Sequence, residues 1–181
     1  MALRQPLRDT FLSLGLPEKD YYFRDDAKSV ELRKQYVEHI TNMFKLAGEP
    51  AAQAAKDADT VMKFETALAK NSMGVVERRD PQKLYNPKTK QEFVSMDPAF
   101  DWNKYLVAVE SPSFEKINLD SPGFITALNG LLQSTSLDDL KTYLRWQALH
   151  EAAATLPTPF VNENFSFYGK QLTGDKELRP R

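Results

Sequence analysis

Ser136 to Leu156 reads S-L-D-D-L-K-T-Y-L-R-W-Q-A-L-H-E-A-A-A-T-L, and neither Gly nor Pro interrupts it before Pro157. Ser136 with Asp139 three residues on is a near-capping box, and Pro157 is a stop signal, so the stretch predicts one long helix. At 100° per residue Leu137, Leu140, Tyr143, Leu144 and Ala148 share a face. Trp146, Leu149, Ala153 and Leu156 form a second face toward the C-terminal half. A helix apolar on two sides is expected at the centre of a helical fold.

The same stretch contains His150-Glu151-Ala152-Ala153-Ala154. The zinc signature H-E-x-x-H places two histidines on one helix face, at i and i+4, with the Glu between them as general base. Here Ala154 occupies the second histidine position, His39 is the only other histidine, and there is no cysteine. The ligand count therefore argues against a metal site, and His150 reads as a partly exposed residue near a helix C-terminus. His39 reads as a boundary histidine with a local partner.

Working outward, 181 residues suffice for a single domain with a sizeable core. Lys and Arg total 24 against 25 acidic residues, which leaves no net basic field for nucleic acid. No run has the length and apolarity of a membrane span, and Arg4, Pro6, Arg8 and Asp9 break up the opening, so it is no signal peptide. The expectation is a soluble chain without membrane insertion or an export address of its own. Leu3, Leu7, Phe11 and Leu14 suggest a short amphipathic turn.

Asp25-Asp26 opens a helix that ends at Ala47 before Gly48, with Tyr36, Val37, Ile40, Met43 and Phe44 in one arc. Glu49-Pro50 opens a second, alanine-rich helix to about Lys70, whose core face includes Ala54, Ala58, Val61, Met62 and Leu68. Glu65 falls inside that face. A buried carboxylate requires a partner, and an ion pair with Arg78, Arg79 or Arg145 is expected. The functional alternative is a catalytic acid, which would need a second titrating group close by. Asp80-Pro81, Asn86-Pro87 and Asp97-Pro98 mark turns, and Thr89 to Glu92 forms a capping box. Asp101 caps a helix to Glu110, Phe114, Ile117 and Leu119 suggest a brief strand, and Ser121-Pro122 starts a helix to Gln133. Pro159 begins a last helix that runs to Leu172 before Gly174. Asn164-Phe165-Ser166 is a glycosylation sequon in form only, because it lies in a packed helix. The pattern is all-α: about six helices in one compact domain, with Pro-rich ordered loops and a long central helix at 136–156.

Five segments stand out: Gly15-Leu16-Pro17-Glu18-Lys19-Asp20-Tyr21-Tyr22; Arg78-Arg79-Asp80-Pro81 followed by Tyr85-Asn86-Pro87; Phe100-Asp101-Trp102; Tyr143-Leu144-Arg145-Trp146; and Phe165-x-Phe167-Tyr168-Gly169. Together they resemble the N-terminal region of the neprilysin family of zinc endopeptidases. The resemblance covers residues 15–181 in order, and leaves 1–14 as a divergent leader. It implies a helical domain facing a thermolysin-like catalytic domain across a closed chamber. The zinc ligands, general base and substrate clamp of such enzymes would lie beyond Arg181, so no catalytic, cofactor or metal residue is assigned here. Zinc would belong to the parent enzyme, which would be secreted or in the cell envelope. The partners implied are the catalytic domain of the same parent and its peptide substrates. On this reading residues 15–181 form a lid that admits peptides by size and is inactive alone, for want of H-E-x-x-H. The alternative is a stand-alone helical interaction module with an apolar groove.

Overall fold

Helices begin in this chain where a short polar side chain can accept a backbone N–H. Asp26 accepts from Ser29 at 3.0 Å, Ser136 from Asp139 at 3.1 Å and Asp101 from Lys104 at 2.9 Å. Thr89 and Glu92 close the expected capping box, with Glu92 N–H donating to Thr89 Oγ1 and Thr89 N–H to Glu92 Oε2. The computed structural model describes residues 14–178. Among these are eight α-helices: α1 (Ala27–Leu46), α2 (Ala51–Asn71), α3 (Pro81–Leu84), α4 (Lys90–Met96), α5 (Trp102–Ala108), α6 (Pro122–Ser134), α7 (Leu137–Ala152) and α8 (Thr158–Asn164). A π-helix, Phe165–Thr173, continues α8, and 3₁₀ turns occupy Lys19–Tyr22 and Glu77–Arg79. The fold is all-α, as the periodicities predict. The amphipathic turn expected from Leu3, Leu7 and Phe11 lies outside the described residues.

The chain divides into two compact units, one of Met1–Lys19 with Ala67–Thr135 and one of Asp20–Thr66 with Ser136–Arg181. In the first, Phe93, Trp102, Leu106, Ile117 and Leu119 form the buried cluster, with Phe100, Tyr105 and Ile125 packed against it. The expected strand is present as β2 (Lys116–Asn118), and it pairs antiparallel with β1 (Pro87–Thr89), Lys88 opposite Ile117. Asn118 locks this ladder: its Oδ1 accepts from Asn86 N–H at 2.7 Å and its Nδ2 donates to the Leu84 carbonyl at 2.8 Å. A three-residue strand beginning at a proline has almost no periodicity to read, which is why β1 was not expected.

In the second unit α1 packs against α7, α8 and the π-helix. Tyr36, Ile40, Met43 and Phe44 of α1 are buried with Tyr143 and Trp146 of α7 and Phe167 of the π-helix. Two expectations are corrected here. The central helix ends at Ala152, four residues short of Leu156, and of its two expected apolar faces the one with Trp146 and Ala153 is buried while the other is split, Tyr143 inside and Leu137 and Leu144 outside. Tyr143, Trp146 and Gln147 are buried, whereas Leu137 is 66% and Leu144 49% exposed. The last helix also changes register: beyond Asn164 it widens from α to π before ending at Gly174, whose φ of 79° is the left-handed cap expected of it.

Gly169 shows why the π-helix holds. The Phe165 ring occupies the space where a side chain at 169 would stand, so a methyl built there falls within the ring. Gly169→Ala is expected to destabilise the chain by about 1 to 3 kcal/mol through this overpacking. Part of the loss should be recovered in Gly169→Ala/Phe165→Leu, as denaturant unfolding of the single and double variants will show.

Candidate functional site

The second unit is organised around Glu65 of α2, which has no exposed surface. Tyr22 Oη donates to its Oε2 at 2.7 Å, Tyr36 Oη lies 2.9 and 3.0 Å from Oε2 and Oε1, and Trp146 Nε1 donates to Oε1 at 3.2 Å. Each donor comes from a different element: the first 3₁₀ turn, α1 and α7. Burial, and then the nearby carboxylate, push the Tyr36 hydroxyl well above the ordinary phenol range; the same causes raise Tyr143 and Tyr168. These phenols stay protonated, and that of Tyr36 donates to Glu65. With both oxygens engaged and no access to solvent, Glu65 has the character of a structural acceptor and not of an acid that meets a substrate.

The guanidinium expected at Glu65 is directed elsewhere. Arg145 Nη2 sits 2.6 Å from Asp57 Oδ2 and 2.9 Å from Glu49 Oε1, and its Cζ lies 5.2 Å from the centre of the Phe44 ring. Burial raises the Glu49 pKa, Arg145 opposes this, and Asp57 adds to it. Arg145 thus ties α7 to α2 and to the turn that precedes α2. Arg78 and Arg79 belong to the other unit. Sequence reasoning chose the ion pair because a guanidinium is the usual partner of a buried carboxylate; convergence of hydroxyls from distant segments leaves no periodic trace.

The two histidines come together around Trp146. His150 stacks on its ring, with centroids 5.5 Å apart and 26° between planes, and His39 meets it edge-on at 5.8 Å. His39 is buried, 2% exposed, and not at the boundary where the sequence places it, and its Nδ1 lies 3.0 Å from Glu163 Oε1 of α8, a partner from the other end of the chain and not a local one. Among the described residues no group of three or more His, Cys, Asp or Glu side chains could hold a metal ion. Asn164, in the sequon, has its Oδ1 buried without a hydrogen-bond partner.

The remaining surface feature is the uncovered face of α7, where Leu137, Leu144 and Ala148 are exposed at a helical spacing of seven and four residues. No described helix is long and apolar enough to cross a membrane.

Glu65, Tyr22, Tyr36 and Trp146 thus form the buried polar core of a helical unit, and comparison with known proteins identifies its class. Residues 9–181 match the N-terminal model of peptidase family M13, and the chain belongs to this family. The match begins within the stretch expected to be a leader. Endothelin-converting enzyme 1 of Bos taurus is 25% identical over 173 residues, which cover 93% of this chain and 23% of that enzyme. Neprilysin-3 of Drosophila melanogaster is 23% identical over 158 residues, 81% of this chain and 20% of that protein. Zinc metalloprotease Zmp1 of Mycobacterium tuberculosis, solved in complex with an inhibitor, superposes with a TM-score of 0.88 at 32% identity, over 94% of this chain and 26% of Zmp1. Its open state gives a TM-score of 0.87. The chain thus spans about a quarter of the length of the relatives it matches, and corresponds to the N-terminal domain of the neprilysin family. Tyr22, Trp146 and Tyr168, which lie in three of the five segments carrying the resemblance, all belong to the second unit and its polar core.

If Glu65 and its donors act as one group, removing them is non-additive. Tyr36→Phe is expected to cost about 2 kcal/mol of stability, and Glu65→Leu about 3, because each strands buried polar atoms. In the double variant the loss should fall short of the sum by about 1 kcal/mol or more, measured by urea unfolding.

Proposed function

We propose that this chain is the non-catalytic helical lid of an M13 zinc metalloendopeptidase, covering the active-site chamber and restricting peptide substrates by size. In this reading a catalytic domain elsewhere in the same parent chain carries the zinc and the reacting groups. Residues 15–181 make the lid and 1–14 a leader, and the parent acts on peptides outside the cytoplasm or in the cell envelope. The family match is the ground for the parent's chemistry. The observation that carries the lid role is the uncovered apolar face of α7: Leu137 and Leu144 stand in solvent, while the charged groups around them are occupied within their own unit. An apolar helix face of this kind fits a surface awaiting more protein. Exclusion by size needs walls and no reactive residue, in keeping with a core whose carboxylate is sealed by its own donors.

Two measurements test this. The purified chain should bind less than one zinc per molecule and leave a quenched peptide uncut, whereas the parent protein should cut short peptides and spare long ones. Leu137→Glu/Leu144→Glu should change the stability of the isolated chain by less than about 0.5 kcal/mol, as surface changes do. The same pair in the parent should lower its melting temperature and relax its size limit. If the parent is unaffected while the isolated chain captures a partner through this face, the stand-alone interaction module is the correct account. Zinc at one per chain, with turnover abolished by His150→Ala, would overturn both.

A further inference from the structure

The aromatic box around Trp146 contains more than packing requires. It holds both of the chain's histidines, His39 from α1 and His150 from α7, with Tyr168 of the π-helix in contact with both, at 5.5 and 5.2 Å between ring centroids. His39 also stacks on Phe167 at 5.1 Å and 12°. Two of the four imidazole nitrogens, His39 Nε2 and His150 Nδ1, are buried with no hydrogen-bond partner. A neutral imidazole tolerates this, because the unpartnered nitrogen is then a lone pair. Protonation converts that lone pair into a charged N–H donor with no acceptor, a costly group to bury.

The titratable groups facing the pair are few. Glu163 of α8 is bonded to His39 Nδ1, and Glu151 lies beside His150 on α7 at an exposed position. Tyr168 of the π-helix and Tyr36 of α1 are phenols held protonated, and Glu65 of α2 is engaged by Tyr22, Tyr36 and Trp146. One carboxylate is therefore bonded inside the box, and it serves one ring only. A second positive charge there meets the first.

We infer that the His39–His150 pair is an acid-released latch, which holds α8 and the π-helix against α1 and α7 while His150 is neutral and loosens that segment when His150 is protonated. Burial lowers the pKa of His150, Glu151 opposes this and His39 adds to it, so the closed form binds fewer protons than the open one. The sign follows from linkage: stability is full above the ordinary histidine pKa of about 6.5 and is lost as pH falls through it, levelling off below the depressed value of the closed form. The inference concerns the second unit alone and does not depend on the proposed parent activity.

With only two histidines, NMR of the whole chain resolves each ring. The expected result is that His150 titrates below an unfolded control. Amide protection of residues 158–173, corrected for intrinsic exchange, should fall severalfold from pH 7.5 to 5.5. His150→Phe keeps a ring on Trp146 but cannot be charged, and should abolish that fall. The latch is refuted if His150 titrates at its unfolded value, or if protection is equal at the two pH values. It is also refuted if wild type and His150→Phe lose protection alike. Should His150→Phe not fold, the wild-type titration and exchange decide the matter by themselves.

Discussion

A carboxylate without access to water must be solvated by the protein, and in the second unit that requirement falls on Glu65. Its donors come from segments far apart in sequence, Tyr22, Tyr36 and Trp146, so satisfying one side chain fixes the first 3₁₀ turn, α1, α2 and α7 at once. Apolar packing alone would tolerate small slips between these helices; hydrogen bonds of 2.7 to 3.2 Å would not. Trp146 transmits the constraint further, since its ring also receives Tyr36, Phe44 and both histidines. Arg145, its neighbour in sequence, points the other way and anchors α7 to Asp57 and Glu49.

How much of this can be read from residues alone depends on the range of the cause. Helix starts at Asp26, Thr89, Asp101 and Ser136 were legible because a cap and the amide it binds lie within three residues. The left-handed turn at Gly174 was legible for the same reason. The widening of the last helix was not: it depends on the fit of the Phe165 ring over Gly169, and a period-3.6 pattern runs through it unbroken. The covered side of α7 was also beyond periodicity. Leu137, Leu140 and Leu144 form as good an apolar stripe as Trp146, Leu149 and Ala153, yet Trp146 and Ala153 are buried and Leu137 and Leu144 are exposed.

The polar core was half legible. Glu65 stands out in an apolar arc and demands a partner, but an ion pair and a cage of hydroxyls satisfy the same demand. The segments around Tyr22, Trp146 and Tyr168 are also the ones by which the chain resembles its family. Tyr22 and Trp146 thus lie in segments that carry the resemblance and also donate to a buried carboxyl group.

The exposed stripe of α7 has a consequence in time. This region belongs to the N-terminal part of relatives about four times its length, so most of such a polypeptide leaves the ribosome after it. At about 5 to 20 residues per second, the corresponding face of such a polypeptide emerges long before the rest of it has been made. An apolar surface left open during synthesis is a target for chaperones, or for the same surface on a neighbouring nascent chain.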